Sequence, residues 1–73
     1  MSDTNNLLEE LKLECQCEQI SFSLHYGEVS NSYHIVIADP SFRFNCVGKD
    51  RADIDAAILD GINRIKSVRN GEI

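Results

Sequence analysis

Aromatic side chains and proline are scarce in this sequence. Its 73 residues include no tryptophan, one proline and 7% aromatic residues, so a core has to be mostly aliphatic. With 42% hydrophobic and 26% charged residues, the composition is that of a folded chain, which excludes disordered, collagen-like and low-complexity proteins. The length allows one domain, 1–73, and no more.

A long apolar segment and an even set of cysteines are also missing. No apolar run approaches the roughly 20 residues of a membrane-spanning helix, and residues 1–6 are polar and acidic, unlike a signal peptide. The three cysteines, Cys15, Cys17 and Cys46, make a poor disulfide framework and suit a reducing compartment. We therefore expect a cytoplasmic protein.

Basic residues are outnumbered, because seven Lys and Arg stand against twelve Asp and Glu, for a net charge of −5. Direct nucleic-acid binding depends on clustered Lys and Arg, so we do not expect it. Residues 1–18 alone hold five acids and one base. This stretch is either a solvated face or a surface that docks on a partner with a basic, nucleic-acid-binding surface, through Glu9, Glu10, Glu14 and Glu18.

Helical periodicity predicts a helix at each end of the chain. In the first helix, Asn6 and Glu9 have the spacing of a capping box. In the last, Asp50 is the expected N-cap, and Asn70-Gly71 is a stop signal. Gly61 lies in the middle of the apolar stripe of this helix, which predicts a close approach of the helix to the sheet.

Between the helices, a period of two predicts three strands, 20–26, 33–38 and 42–47. Short turns at 27–32 and 39–41 favour an antiparallel meander. The expected fold is α+β in the order α-β-β-β-α, with both helices packed on one face of the sheet. The predicted core consists of Leu7, Leu8, Leu11, Ile20, Phe22, Leu24, Ile35, Ile37, Phe42, Phe44, Ile54, Ile58, Ile62 and Ile65.

The opposite face of the sheet is expected to carry one formal charge and several small or apolar side chains. A hairpin whose paired residue numbers sum to 59 places His25 directly opposite His34 on this face. The face is either a plain solvated surface or an interface with a partner or a second copy of the chain. Its candidate contact residues are His25, His34, Val36, Arg43 and Asn45.

Catalytic and metal-binding patterns are thin. The histidine pair is a candidate metal or pH-sensing site, but two surface imidazoles beside a turn explain it more simply. Cys15 and Cys17 are two residues apart on a helix and point to opposite sides, which disfavours a zinc site. There is no glycine-rich phosphate loop and no nucleophile with a base in reach, so we expect a non-enzyme without metal or cofactor.

The stretch FNCVGKDRADIDAAILDGINRI resembles the last strand and helix of small phage-encoded α-β-β-β-α proteins, the phage ABA-sandwich domains. This resemblance implies a phage or prophage origin, a location in the host cytoplasm and no catalytic residues. Through Ala52, Ala56 and Ala57 the same stretch is similar to the end of a double-stranded-RNA-binding domain, although acidic residues replace the basic helix start of that family. The stretch YHIVIADPSFRFNCVGKDRADIDAAI is similar to HicB-type antitoxins.

Three functions follow as hypotheses. The first is a small binding protein that inhibits or sequesters a host protein by covering its surface, as anti-defence and anti-CRISPR-like proteins do. The second is an antitoxin-like or regulatory partner that dimerises through the exposed sheet face. The third is a small-ligand or nucleotide sponge with its pocket at a dimer interface.

Overall fold

The computed structural model describes residues 4–71 and confirms the α-β-β-β-α order. Helix α1 spans Thr4–Glu18, and strands β1 and β2 span Ser21–Gly27 and Ser32–Ala38. A short strand, β3, covers Cys46–Val47, and helix α2 spans Ile54–Arg69. The strands form one antiparallel sheet in the order β1-β2-β3. Within the described range, neither helix is long and apolar enough to cross a membrane.

The β1–β2 hairpin has the predicted register. His25 pairs with His34, and Leu24 pairs with Ile35. Side chains alternate between the two faces of a strand. This register therefore puts Leu24 of β1 and Ile35 of β2, together with the residues two positions from each, on the same side of the sheet. Ile35 and Ile37 are almost completely buried on that side.

Both helices pack on the face that carries Ile35. A Cβ atom placed on Gly61 of α2 would lie 2.5 Å from Ile35 Cδ1 and 3.5 Å from Leu11 Cδ1 of α1, so all three elements meet here. This is the close approach that the mid-helix glycine predicts. The helices run in the same direction, since Thr4 bonds Asp55 near their starts.

The third strand is present, but its predicted bounds, 42–47, are wrong. Of residues 42–47 only Cys46 and Val47 are in a strand, and Phe42 is 78% exposed instead of lying in the core. Phe42 has a positive φ of 64° and its N–H donates to the carbonyl of Asp39. The loop forms because the buried carboxylate of Asp39 accepts hydrogen bonds from the N–H groups of Ser41 and Phe44. Arg43 and Asn45 therefore lie in this loop and not on a strand.

Both predicted helix starts also need correction. Asn6 is inside α1, which already includes Thr4, so it is not an N-cap. The N-cap of α2 is Asp53, whose carboxylate accepts from the N–H of Asp55, and not Asp50. The helix begins later than expected because residues 48–51 continue alongside β2, where Arg51 and Tyr33 exchange two backbone hydrogen bonds.

The remaining predicted core residues are buried to different degrees. The innermost ones form a single cluster around β2 and α2. Five predicted core residues pack against that cluster but stay half-buried, because they lie at the margins of a narrow two-layer domain. These five are Leu7, Leu8, Phe22, Leu24 and Ile54.

We expect Gly61→Ala to lower the free energy of unfolding by about 1 kcal/mol. The new methyl group collides with Ile35, and overpacking strain of roughly 1–3 kcal/mol outweighs a gain in helix propensity of about 1 kcal/mol. Ile35→Val removes the colliding Cδ1 atom, so Gly61→Ala should be neutral or stabilising in that background. Urea denaturation of the four variants measures this coupling, and an equal effect of Gly61→Ala in both backgrounds would contradict it.

Asp39 makes stability depend on pH. Burial alone would raise the pKa of its carboxyl, but hydrogen bonds from Phe44 and Ser41 outweigh burial and hold the pKa below the ordinary range. A carboxyl whose pKa is lowered in the folded state stabilises the fold above its unfolded pKa and loses that contribution as the pH falls through the folded value. We therefore expect unfolding free energy to fall between about pH 5 and about pH 2.

The matched control for this pH dependence is Glu28→Gln, which changes an exposed carboxylate in the hairpin turn. Asp39→Asn should flatten the acid limb of the stability curve and lower stability at neutral pH, because an amide NH₂ cannot accept from the loop N–H groups. Chemical denaturation at several pH values checks this. An unchanged acid limb in Asp39→Asn would show that other carboxyls cause it.

Candidate binding surface

Neither of the two helices in residues 4–71 lies on the outer face of the sheet. Three cross-strand rows cross this face: Ser21 with Ala38, Ser23 with Val36 and Val47, and His25 with His34. We call these residues the outer face. It carries no Lys, Arg, Asp or Glu, whereas solvated sheet faces usually carry several charges.

At one end of the outer face the two histidines stack. The ring centroids of His25 and His34 are 5.0 Å apart, with an interplanar angle of 11°. His25 Nε2 is 3.0 Å from the hydroxyl of Ser23, and His34 Nδ1 is 3.6 Å from a carboxylate oxygen of Asp50. In this stacked arrangement each imidazole ring covers part of one face of the other.

At the other end, an open apolar groove of about 410 Å³ follows the junction of β2 and β3. Val47 is 72% exposed there and Val36 is half-buried beside it. Asn45 lines the groove, although its side-chain oxygen is held by the N–H of Asp39. Arg43 lies beyond it in the loop, with its guanidinium 5.0 Å from the ring centroid of Phe44.

The acidic residues of α1 mostly have partners within the chain. Arg69 binds both Glu14, at 2.5 Å, and Glu18, at 2.7 Å. Lys66 binds Glu10 at 3.3 Å, and Lys12 binds Glu9 at 3.4 Å. The two carboxylates raise the pKa of Arg69 by accepting its hydrogen bonds. All four acidic residues proposed as contacts are therefore engaged with basic side chains, and three of them contact α2.

Three basic side chains in residues 4–71 have no carboxylate within salt-bridge distance: Arg43, Lys49 and Arg64. They surround β3. A second open groove of about 410 Å³, between β3 and α2, is lined by Lys49 and Arg64, and Arg51 beside them is held by Asp60 at 2.7 Å. The sequence did not indicate this groove, because its residues come from two separate segments, 46–51 and 60–67, and carry no motif.

Cysteine and metal chemistry have little support in the described part of the chain. Burial raises the pKa of the Cys15 thiol, and burial also raises that of Cys46 although Arg64 opposes it. Both are therefore held as thiols, and the thiolate is the nucleophilic form. All three cysteines are free, and nowhere in residues 4–71 do three or more His, Cys, Asp or Glu side chains converge in a way that could hold a metal ion.

Comparison with known proteins gives no relative: the chain matches no family model, no curated protein and no solved structure. The resemblances to phage ABA-sandwich domains, double-stranded-RNA-binding domains and HicB-type antitoxins stay predictions.

Replacing Arg69 tests whether the acidic residues of α1 are structural. We expect Arg69→Gln to lower the melting temperature by roughly 2–4 °C at low salt, because Glu14 and Glu18 lose their shared partner. The loss should shrink at about 1 M NaCl, where charges are screened. Lys49→Gln is the control, since Lys49 is exposed and has no carboxylate partner in the described structure; equal thermal shifts for both variants would contradict the assignment.

Proposed function

We propose that this chain is a small non-enzymatic binding protein that covers the surface of a partner protein with its outer face. One observation carries the proposal: a sheet face without formal charge, with an exposed valine groove, is left uncovered by residues 4–71 in a chain that is 26% charged. Exposed apolar patches rimmed by polar groups are typical of protein interaction sites.

The outer face is a better docking surface than the acidic helix. If Glu10, Glu14 or Glu18 docked on a basic partner, it would have to leave Lys66 or Arg69, so part of the attraction would be cancelled. On the outer face His34 lies 3.6 Å from the Asp50 carboxylate, whereas Val36, Ala38 and Val47 have no side-chain group that a partner would have to take from an ion pair. Val47 in particular can be buried by a partner at no cost to the fold, because it is largely exposed.

The partner that we propose is a host protein, and the mode of action is inhibition by surface occlusion. The resemblance to small phage-encoded proteins supports a host target. The raised pKa values of the Cys15 and Cys46 thiols favour occlusion over thiol chemistry at these two positions. The uncharged character of the outer face implies a partner surface with few charged groups at its centre.

Comparative capture with matched baits tests this proposal. Intact chain, Val47→Glu and Glu10→Lys are immobilised in parallel, and proteins retained from a bacterial lysate are identified and quantified. We expect Val47→Glu to lose the retained partner, with affinity lowered at least ~10-fold by calorimetry, because a charge is buried in the apolar groove. Glu10→Lys should keep it.

The control bait is Val29→Glu, which makes the same substitution at a fully exposed position in the hairpin turn, away from the groove. Circular dichroism of each variant establishes that the fold is retained. A partner that is lost with Glu10→Lys and kept with Val47→Glu would overturn the assignment to the outer face and favour the acidic helix.

A further inference from the structure

Strand β1 has an edge that no other segment of residues 4–71 pairs with. The backbone groups of Tyr33 and Ile35 in β2 point away from β1. Tyr33 exchanges hydrogen bonds with Arg51, and the Ile35 carbonyl accepts from the N–H of Gly48. Backbone groups alternate in direction along a strand, so β2 bonds β1 through its other residues, including His34, which pairs with His25. The N–H and C=O groups of Phe22, Leu24 and Tyr26 therefore point away from the sheet.

The same three residues are incompletely covered on the helical side. Phe22 and Leu24 are half-buried against the core, and Tyr26 is 52% exposed. No backbone group of these three has an acceptor or donor on its outer side anywhere in residues 4–71. The edge of β1 thus combines unsatisfied backbone groups with uncovered apolar side chains.

Natural proteins usually protect such an edge with a charged residue, a proline or a bulge. Ser21–Gly27 contains none of them: it has no Lys, Arg, Asp, Glu or Pro, and its pairing with β2 runs through all seven residues without interruption. An unprotected seven-residue edge is a template for an added strand.

We propose that β1 pairs antiparallel with β1 of a second copy of this chain, about a two-fold axis at Leu24. In this register Leu24 lies opposite Leu24 of the partner copy, and Phe22 lies opposite its Tyr26. These are the residues whose backbone groups are free, so each pair exchanges two hydrogen bonds. The product is one continuous sheet across both copies.

A second copy fits this edge because the strand is symmetric in side-chain type. Phe22 and Tyr26 are aromatic residues at equal distances from Leu24, so reversal of the strand places an aromatic opposite an aromatic. The strands themselves bring no Lys, Arg, Asp or Glu to the contact. The acidic residues Glu14 and Glu18 are held on the side of α1 that faces α2, away from the β1 edge, so they do not oppose the pairing.

Dimerisation through this edge is independent of the proposed function, because the outer face stays open. Pairing would join the two outer faces into one surface of twice the width, with two valine grooves. It differs from the expected dimer through the sheet face, which would bury the histidines and valines instead.

Sedimentation velocity from about 10 µM to about 1 mM tests the association. We expect the sedimentation coefficient to rise with concentration for the intact chain, and Tyr26→Lys to weaken association at least ~10-fold, because it places a charge opposite Phe22 of the other copy. The control Val29→Lys adds the same charge two residues beyond β1, at a fully exposed position, and should associate like the intact chain. A monomer at every concentration overturns the proposal.

Amide hydrogen exchange distinguishes the β1 edge from any other interface and needs no variant. In the dimer the amides of Phe22, Leu24 and Tyr26 should exchange at least ~10-fold more slowly at high than at low protein concentration. The amides of Ser23 and His25 are bonded to β2 in either state and should show no such concentration dependence. A dimer in which the first three amides gain no protection would overturn the proposal.

Discussion

The contact of Gly61 with Ile35 is the constraint on which the rest of the structure depends. Because Gly61 has no side chain, the end of Ile35 approaches the backbone of α2, and Leu11 of α1 joins them in a fully buried cluster. This contact holds both helices against one face of the sheet. Two helices packed side by side on one face cover only that face of the three strands. The outer face and the edge of β1 are therefore left open in residues 4–71.

The charge distribution follows from the same packing. The acidic excess of residues 1–18 is local in the sequence, but α1 and α2 lie side by side and run in the same direction, so the basic end of α2 reaches the acids of α1. The basic residues that are left without a carboxylate partner in residues 4–71 surround β3 instead. A net charge of −5 therefore does not mark the acidic helix as the surface that meets a partner.

Most of the fold and part of the binding surface were predictable. Alternation in 20–26 and 33–38 indicated two strands, and parity put His25, His34 and Val36 on one face. The pattern of residues 42–47 alternates equally well, yet the Asp39 carboxylate binds the N–H of Phe44 and turns this segment into a loop. Periodicity cannot reveal this outcome, because a side chain outside the segment competes for its backbone groups.

The sequence by itself determined the helices, the β1–β2 hairpin and its register, because these depend on side chains within a few residues of one another. Only the tertiary structure decided where β3 and α2 begin, which acidic side chains form ion pairs with α2, and which residues line the two grooves. Arg69 and Glu18 are 51 positions apart, and Arg51 delays α2 by bonding Tyr33 of a strand that precedes it. Such contacts depend on how the layers pack, and no local pattern of residues records them.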